Sequence, residues 1–277
     1  MVLSVADLTV DGSIATGAAV SVMLIRAGVS PIATLPIAFL AGALAGMVTG
    51  LLNTALGIPG ILASILTQIS LYSINLNIMG KANQPVSVDN YPLVVSLRYV
   101  TDGSVSRLLF FLGMIVFLLA LIAVMYWYFG TEQGHAIRAT GCNSNMARAQ
   151  GINTNFIKVL ALMISNGLVG LCGALYGQFQ GASDVNMGRG AIVIGLAAVI
   201  IGEVLFGKFA SKRKLAFAFT LASVILGAVI YYMVYQFVLW LKMPSEDMKL
   251  FSAIVVAIFL AIPYLKEKRT LRKGASK

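Results

Sequence analysis

The chain has 277 residues, of which 59% are apolar and 11% are charged, and its mean hydropathy is +0.90. Globular proteins have about 45–50% apolar and about 25% charged residues, so this composition excludes a soluble globular core, a disordered chain and a collagen-like chain. The formal net charge of +10 would indicate nucleic-acid binding in a soluble protein, but in a membrane protein it indicates basic loops that fix orientation.

Hydropathy along the chain predicts an all-α, polytopic membrane protein with about 8 transmembrane helices, because each crossing needs about 20 apolar residues. The predicted spans are 13–28, 31–52, 58–79, 107–129, 157–178, 190–207, 214–240 and 249–265. Small residues recur at helical spacing in these spans, as at Gly42, Gly46 and Gly50 of the second span. In a membrane such residues let helices approach closely, so they predict packing contacts.

Lys and Arg residues are distributed unequally between alternate loops. The 130–156 loop with Lys158, the 208–214 loop and the tail 266–277 hold 13 basic residues. The alternate loops hold seven, which are Arg26, Lys81, Arg98, Arg107, Arg189, Lys242 and Lys249. The positive-inside rule therefore predicts that the side with 13 basic residues is cytoplasmic, with a cytoplasmic C-terminus and a basic cytoplasmic tail. The longest extracytoplasmic loop is then 80–106.

Two segments of the sequence resemble each other, DLTVDGSIATGAA and DVNMGRGAIVIGLAA. The aligned positions are an acid and two glycines, namely Asp7, Gly12 and Gly17 in the first segment and Asp184, Gly190 and Gly195 in the second. Five predicted spans separate the two acids, so the copies face opposite sides of the membrane, which is the inverted repeat of many transporters. The repeat predicts one transmembrane domain over 1–277, with approximate halves 1–130 and 131–265. A span precedes Asp184 but only six residues precede Asp7, so we expect a first helix to be missing.

The sequence contains no recognisable enzyme constellation. His135 is the only histidine, and Cys142 and Cys172 have no second cysteine pair, so neither a metal site nor a disulfide framework is predicted. The string from Gly202 to Lys208 matches the GxxxxGK pattern of a phosphate loop, but Phe209 stands where a Ser or Thr is needed. We therefore expect no catalysis and no cofactor in this chain, and any ATP-driven work falls to a partner.

The loop 130–158 is the most informative segment outside the spans. Asn143 is suited to cap a short helix from Ser144 to Gln150, and Gly151 is suited to end it. A short helix on the cytoplasmic face, between two spans, suits docking to another protein. An ordinary structured loop explains the same pattern equally well.

Three stretches carry a family resemblance. They are LSVADLTVDGSIATGAA, GHAIRATGCNSNMARAQGIN and KVLALMISNGLVGLCGALYGQFQGASDVNMGRGAIVIGLAAVIIGE. With them the chain resembles the permease subunits of bacterial ABC importers of the branched-chain amino acid/ribose permease family, and within it the tryptophan/tyrosine-type subgroup. The resemblance implies an inverted-repeat type II ABC importer permease that crosses the bacterial plasma (inner) membrane several times.

The same resemblance implies partners and a coupling site. It implies a homodimer with a second permease copy, or a pseudodimer of two related permeases. It also implies cytoplasmic ABC ATPase subunits that bind ATP and Mg, and an extracytoplasmic solute-binding protein that delivers a small solute. An amino acid is the expected solute, with a sugar or nucleoside left open. The loop 139–151 is then the coupling helix that enters a groove on the ATPase. Its matching positions are Gly141, Asn143, Ala147, Arg148 and Gly151.

Polar side chains in the spans are candidates for the solute pathway, because unpaired polar groups are costly there. They are Asn53, Gln68, Asn75, Asn166 and Gln178. A hydrogen bond to a neighbouring helix explains each of them equally well. Three residues predicted on the outer face are candidates for contact with the binding protein, namely Asp184, Asn186 and Arg189.

An ion-gradient-driven secondary transporter is a second function compatible with the sequence. Glu203 is the one acid deep in a predicted span and would be its ion carrier. Glu203 is also explained by pairing at the membrane interface with Lys208, one helical turn away. The loop 139–151 separates the two functions, because a secondary transporter needs no helix that docks an ATPase.

Overall fold

The computed structural model describes residues 6–87, 90–91, 93–96, 104–210, 216–240, 257 and 261. The helices are α1 (Val10–Arg26), α2 (Pro31–Thr54), α3 (Gly60–Met79), α4 (Ser104–Phe129), α5 (Glu132–Cys142), α6 (Ser144–Ala149), α7 (Thr154–Gln180), α8 (Ala191–Ala210) and α9 (Ala216–Trp240). Two strands of three residues, β1 (Asn83–Pro85) and β2 (Ala182–Asp184), form an antiparallel pair. The described part of the chain is therefore mostly helical, as the sequence predicts.

Five of the described helices are long and apolar enough to cross a membrane. They cover Pro31–Thr54, Gly60–Met79, Arg107–Phe129, Thr154–Gln180 and Phe217–Phe237. Helix α1 has 17 residues, or about 25 Å, which is less than the roughly 30 Å of a hydrocarbon core. The apolar stretch Ala191–Phe206 is also shorter than a full span. The molecule is thus a multi-pass membrane protein, while the number of eight spans and the inverted repeat stay predictions.

Several predicted features fall outside the described residues. They include the basic tail 266–277, the eighth span 249–265 apart from residues 257 and 261, most of the 208–214 loop, and Arg98, Lys242 and Lys249. The side of the membrane on which the C-terminus lies therefore stays a prediction.

The described chain divides into two compact units, residues 1–189 and residues 190–277. In the second unit, α8 and α9 pack in antiparallel orientation. Gly202 lies against the carbonyl group of Ser223, and Gly227 lies against that of Ala198. A buried apolar cluster of Ala197, Ile201 and Tyr231 completes this contact.

In the first unit, α7 packs on α1 and α2 with almost no side chain between the backbones. A Cβ at Gly42 would overlap the carbonyl oxygen of Asn166, and a Cβ at Gly17 would overlap that of Gly170. Close backbone approach of this kind is the main source of helix association in lipid, where apolar side chains gain little by leaving the bilayer. The packing role predicted for the second span is confirmed, since the glycines that lie against α7 are Gly42, Gly46 and Gly50.

The strand pair joins two loops that the charge distribution places on the same side of the membrane. Its register aligns Asn83 with Asp184 and Pro85 with Ala182. Arg26, the last residue of α1, donates a hydrogen bond from Nη1 to Oε1 of Gln84, so this pair lies at the C-terminal end of α1. Three residues are too few to show the alternation of apolar and polar residues that predicts a strand, so the sequence does not predict this pair.

We expect Gly42→Ala to destabilise the first unit by about 1–3 kcal/mol, because the added methyl group meets the backbone of α7 and overpacks the contact. The measurement is the amount of folded protein in the membrane and its melting temperature in detergent. Gly113→Ala in α4 is the matched control, since a Cβ there meets nothing within 4 Å. Equal stability of the two variants would contradict the packing argument.

Candidate coupling and translocation sites

Helix α6 has the capped structure that the sequence predicts. Oδ1 of Asn143 accepts hydrogen bonds from the backbone N–H groups of Asn145, at 3.1 Å, and Met146, at 3.0 Å. At the other end the helix stops at Ala149, and Gly151 follows with φ +82°, a conformation that favours glycine. The predicted cap and stop are both confirmed, with the helix one residue shorter than expected.

The five predicted coupling residues lie together around α6. Gly141 and Asn143 form the junction with α5, and Ala147 is buried on the inner face of α6. Nη2 of Arg148 donates to Oγ1 of Thr154 over 3.2 Å, which ties α6 to the first residue of α7. The structure thus brings these residues into one small element, and their role toward an ATPase stays a prediction.

A small cavity opens between α5 and α6. Its volume is about 170 Å³, and its lining residues are Ala139, Cys142, Asn143, Met146, Ala147, Gln150 and Ile152. Most of these side chains are apolar, and Met146 beside the cavity is 63% exposed. The surface of this helix pair therefore combines an apolar recess with the exposed end of a short helix.

Asn166 forms hydrogen bonds with side chains that precede or begin α1. Its Nδ2 donates to Oδ2 of Asp7 over 2.6 Å and to the carbonyl oxygen of Leu162 over 3.1 Å. Its Oδ1 accepts from Oγ of Ser13 over 2.7 Å. Every polar atom of this buried amide is therefore paired within the first unit.

Gln178 forms a second set of hydrogen bonds, about three turns further along α7. Its Nε2 lies 3.2 Å from Oγ of Ser21, 3.3 Å from the carbonyl oxygen of Pro31 and 3.4 Å from Oγ1 of Thr34. Its Oε1 accepts from the backbone N–H of Val94 over 3.1 Å. For Asn166 and Gln178 the geometry favours the alternative that both amides hold neighbouring segments together.

The other three pathway candidates have different surroundings. Nδ2 of Asn53 donates to the carbonyl oxygen of Ile58 over 2.8 Å and closes the turn after α2. Gln68 is half-buried where α3 passes Gly12 of α1. Asn75 is 1% exposed, and neither Nδ2 nor Oδ1 has a hydrogen-bond partner among the described residues.

The two acids of the predicted repeat, Asp7 and Asp184, each begin the same kind of local turn. Oδ1 of Asp7 accepts from the N–H of Thr9 over 2.9 Å, and Oδ1 of Asp184 accepts from the N–H of Asn186 over 2.7 Å. The segments then differ, because Gly12 packs within α1 against α3 whereas Gly190 precedes α8 with φ +89°. The outer-face role of Asp184, Asn186 and Arg189 stays a prediction.

Residues 1–263 match the protein family described as the permease component of branched-chain amino acid transport systems. The chain belongs to this permease family. The match covers nearly the whole length of the chain, so it includes the first compact unit, with its α5–α6 pair, and most of the second. The resemblance inferred from the sequence is thereby confirmed.

Curated relatives of the permease agree with this assignment. The chain is 38% identical over 260 residues to a tyrosine transport system permease protein of Clostridioides difficile, covering 94% of this chain and 82% of the relative. It is 26% identical to the inner membrane ABC transporter permease protein YjfF of Escherichia coli, over 72% of this chain and 59% of the relative. It is also 28% identical to the autoinducer 2 import system permease protein LsrC of Yersinia pseudotuberculosis, over 84% of this chain and 62% of the relative. No solved structure matches the permease.

One polar contact of the permease is not predicted from the sequence. Oγ1 of Thr49 in α2 lies 2.8 Å from Oγ1 of Thr9 and 2.9 Å from Oγ1 of Thr67, so three segments share one line of hydroxyl groups. The signal available in the sequence was the helical spacing of Thr9, Ser13 and Thr16 at the start of α1. Hydroxyl side chains are common at helix contacts in membranes, and this spacing places them on one face.

We expect Asn143→Ala to loosen α6, because loss of an N-cap side chain costs about 1 kcal/mol. Hydrogen exchange of residues 144–149 in the purified permease should then be about fivefold faster. Asn143→Asp keeps an acceptor oxygen at the same place and is the matched control, with exchange close to that of the parent. Equal exchange in the parent and in Asn143→Ala would show that α6 does not depend on this cap.

Proposed function

We propose that the permease is the membrane-spanning subunit of an ABC importer for an amino acid, with tyrosine as the first solute to test. The observation that carries this proposal is the 38% identity to a tyrosine transport permease over 94% of the chain. A sugar, a nucleoside or a signalling molecule is the competing solute class, since another relative imports autoinducer 2. The proposed role is transport, and ATP hydrolysis belongs to a partner.

The proposed assembly contains two copies of the permease in the bacterial inner membrane, cytoplasmic ABC ATPases and an extracytoplasmic solute-binding protein. Two of the relatives carry names of ABC transport or import systems, which supports an ATPase partner. The C-terminus is proposed to lie in the cytoplasm, on the same side as α5 and α6. ATP and Mg would be held by the ATPase and not by this chain.

The contacts around α6 supply a route for coupling. The five coupling residues Gly141, Asn143, Ala147, Arg148 and Gly151 shape a capped helix whose Met146 is exposed. Arg148 binds Thr154 at the start of α7, and α7 touches the backbones of α1 and α2 through glycines. A displacement of α6 by an ATPase would therefore be transmitted to α7 and from there to α1 and α2. Tightly packed elements of this kind move as bodies between discrete arrangements.

Alternating access then needs two arrangements that differ by only a few kcal/mol, so that ATP and solute can shift the balance. In this proposal the solute passes between two permease copies. Of the five pathway candidates, Asn75 and Gln68 retain the most free hydrogen-bonding capacity among the described residues. Asn166 and Gln178 are assigned to packing.

We expect Arg148→Ala to uncouple ATP hydrolysis from uptake without unfolding the permease. The change removes the link from α6 to Thr154, while the cap at Asn143 and the glycine contacts of α7 remain. Tyrosine uptake by the reconstituted complex should fall about tenfold or more, a factor that corresponds to about 1.4 kcal/mol of coupling free energy. ATP hydrolysis should continue. Gln133→Ala, an exposed amide on α5, is the control and should leave both activities unchanged.

The same complex tests the importer against the ion-driven transporter. Affinity purification from the native membrane should recover an ABC ATPase and a solute-binding protein with the permease. Tyrosine uptake should stop in cells that lack every partner ATPase. Persistent uptake in such cells, combined with its loss in Glu203→Gln, would favour the secondary transporter. If both partners are recovered but the solute-binding protein carries a sugar, the importer proposal is retained and the proposed solute changes from tyrosine to a sugar.

A further inference from the structure

The segment between β2 and α8, residues 185–190, begins near the C-terminal end of α1 but continues along this helix. Val185 lies in a buried cluster with Ala19 and Met79, whereas Gly188 packs against the backbone carbonyl group of Asp11. Ala19 and Asp11 are eight residues apart on α1, a rise of about 12 Å. The strand pair lies at the C-terminal end of α1, so the segment runs back along α1 toward its N-terminal end.

The polar bonds of α1 give the depth that this segment reaches. Thr9, two residues before Asp11, bonds to Thr49 of α2. Thr49 lies 18 residues after Pro31 and five residues before Thr54, which is about 27 Å from one end of α2 and about 8 Å from the other. Gly188 and its neighbours therefore lie within the depth that α2 spans and not beyond either end.

The two sides of the segment have opposite character. Val185 and Gly188 are buried against α1, whereas Asn186 and Arg189 are exposed. The backbone is held in tight turns, because the N–H of Met187 donates to the carbonyl oxygen of Asp184 at 3.1 Å and that of Arg189 donates to Asn186 at 3.0 Å. One side of the segment is thus fixed on the helix, and the other presents an amide and a guanidinium group away from it.

Physical chemistry limits what can surround such a segment. Non-helical backbone at membrane depth is tolerated only where it is buried in protein or lines a water-filled cavity. A guanidinium group at that depth is costly in lipid and marks substrate or ion pathways. The Arg189 side chain has no hydrogen bond or ion pair with the described residues, so its charge requires water, a solute or further protein surface around it.

We propose that Arg189 lines the translocation pathway and binds the carboxylate group of the solute during passage. The proposal rests on the proposed function, in which the solute is an amino acid. The planar guanidinium group can donate two parallel hydrogen bonds to a carboxylate, which an uncharged solute would not satisfy. Arg189 would then select for anionic groups in the permease itself, in addition to any selection by the binding protein.

The test uses radiolabelled tyrosine and cells that contain the whole transporter. Arg189→Gln should lower uptake about tenfold or more, because a hydrogen-bonded charge pair is lost, while Arg189→Lys, which keeps the charge but not the two parallel hydrogen bonds, should give an intermediate rate. Lys81→Gln is the matched control, since Lys81 is an exposed cation in the turn after α3, and it should leave uptake unchanged. Immunoblots of the membrane normalise each rate to the amount of permease.

A charge-rescue arm separates binding from a merely structural role. In Arg189→Cys, an impermeant thiol reagent that adds a trimethylammonium group restores the positive charge without the hydrogen bonds and should recover part of the uptake, whereas one that adds a sulfonate group should recover none. The parent and Lys81→Cys should respond to neither. The proposal is overturned if Arg189→Gln imports at the parental rate, if both reagents act alike, or if the introduced thiol does not react. Loss of binding-protein capture with either reagent would instead assign Arg189 to the outer contact.

Failure of the proposed function gives a different pattern. If the parent and its partners import no tyrosine, the solute is wrong, and the thiol reaction still decides whether Arg189 lies in the pathway. A reaction rate that changes when the ATPases are trapped with ATP and vanadate supports the pathway. A rate that is zero or does not change overturns it.

Discussion

The close contact of α7 with α1 and α2 is the constraint on which the first unit depends. Glycines stand where the backbones cross, at Gly17 and Gly42, and each lies against a carbonyl group of α7. In lipid, apolar side chains gain little by leaving the bilayer, so close van der Waals contact must hold the helices. Once the backbones are this close, short side chains such as Ser13 and Ser21 can reach the amides of α7.

Those amides fix α7 at two levels. Asn166 binds Asp7 and Ser13 near one end of α1, and Gln178 binds Ser21 near the other. Gln178 also accepts from Val94, in the segment between β1 and α4. Helix α7 has 27 residues, or about 40 Å, and it begins at Thr154, where Arg148 of α6 is bound. A single helix therefore links the α5–α6 pair to the opposite end of the unit by continuous contacts, and chains of packed side chains and rigid helices of this kind carry energetic coupling between distant sites.

The sequence predicted some of this and missed the rest for identifiable reasons. Hydropathy located α2 and α3 within two residues, because Pro31 and Gly80 mark their boundaries. The cap at Asn143 was readable because capping depends only on nearby residues. The partners of Gln178 were not readable, because an amide in a span does not indicate which distant group it meets. Helix α5 was missed because its glycines indicated a loop.

For the segment before α8, the proposed depth of Arg189 differs from the prediction of the charge rule. That rule treats every stretch between spans as lying outside the membrane, so it assigned Arg189 to the outer face. The backbone can re-enter the bilayer if a packed partner covers one side, and Gly188 allows this by leaving no side chain between itself and the carbonyl group of Asp11. The depth of Arg189 thus depends on the same close backbone contact that holds α7 to α1. A larger residue at position 188 would meet the carbonyl group of Asp11 and move the Arg189 backbone away from α1, so the proposed depth of the guanidinium group depends on this one glycine.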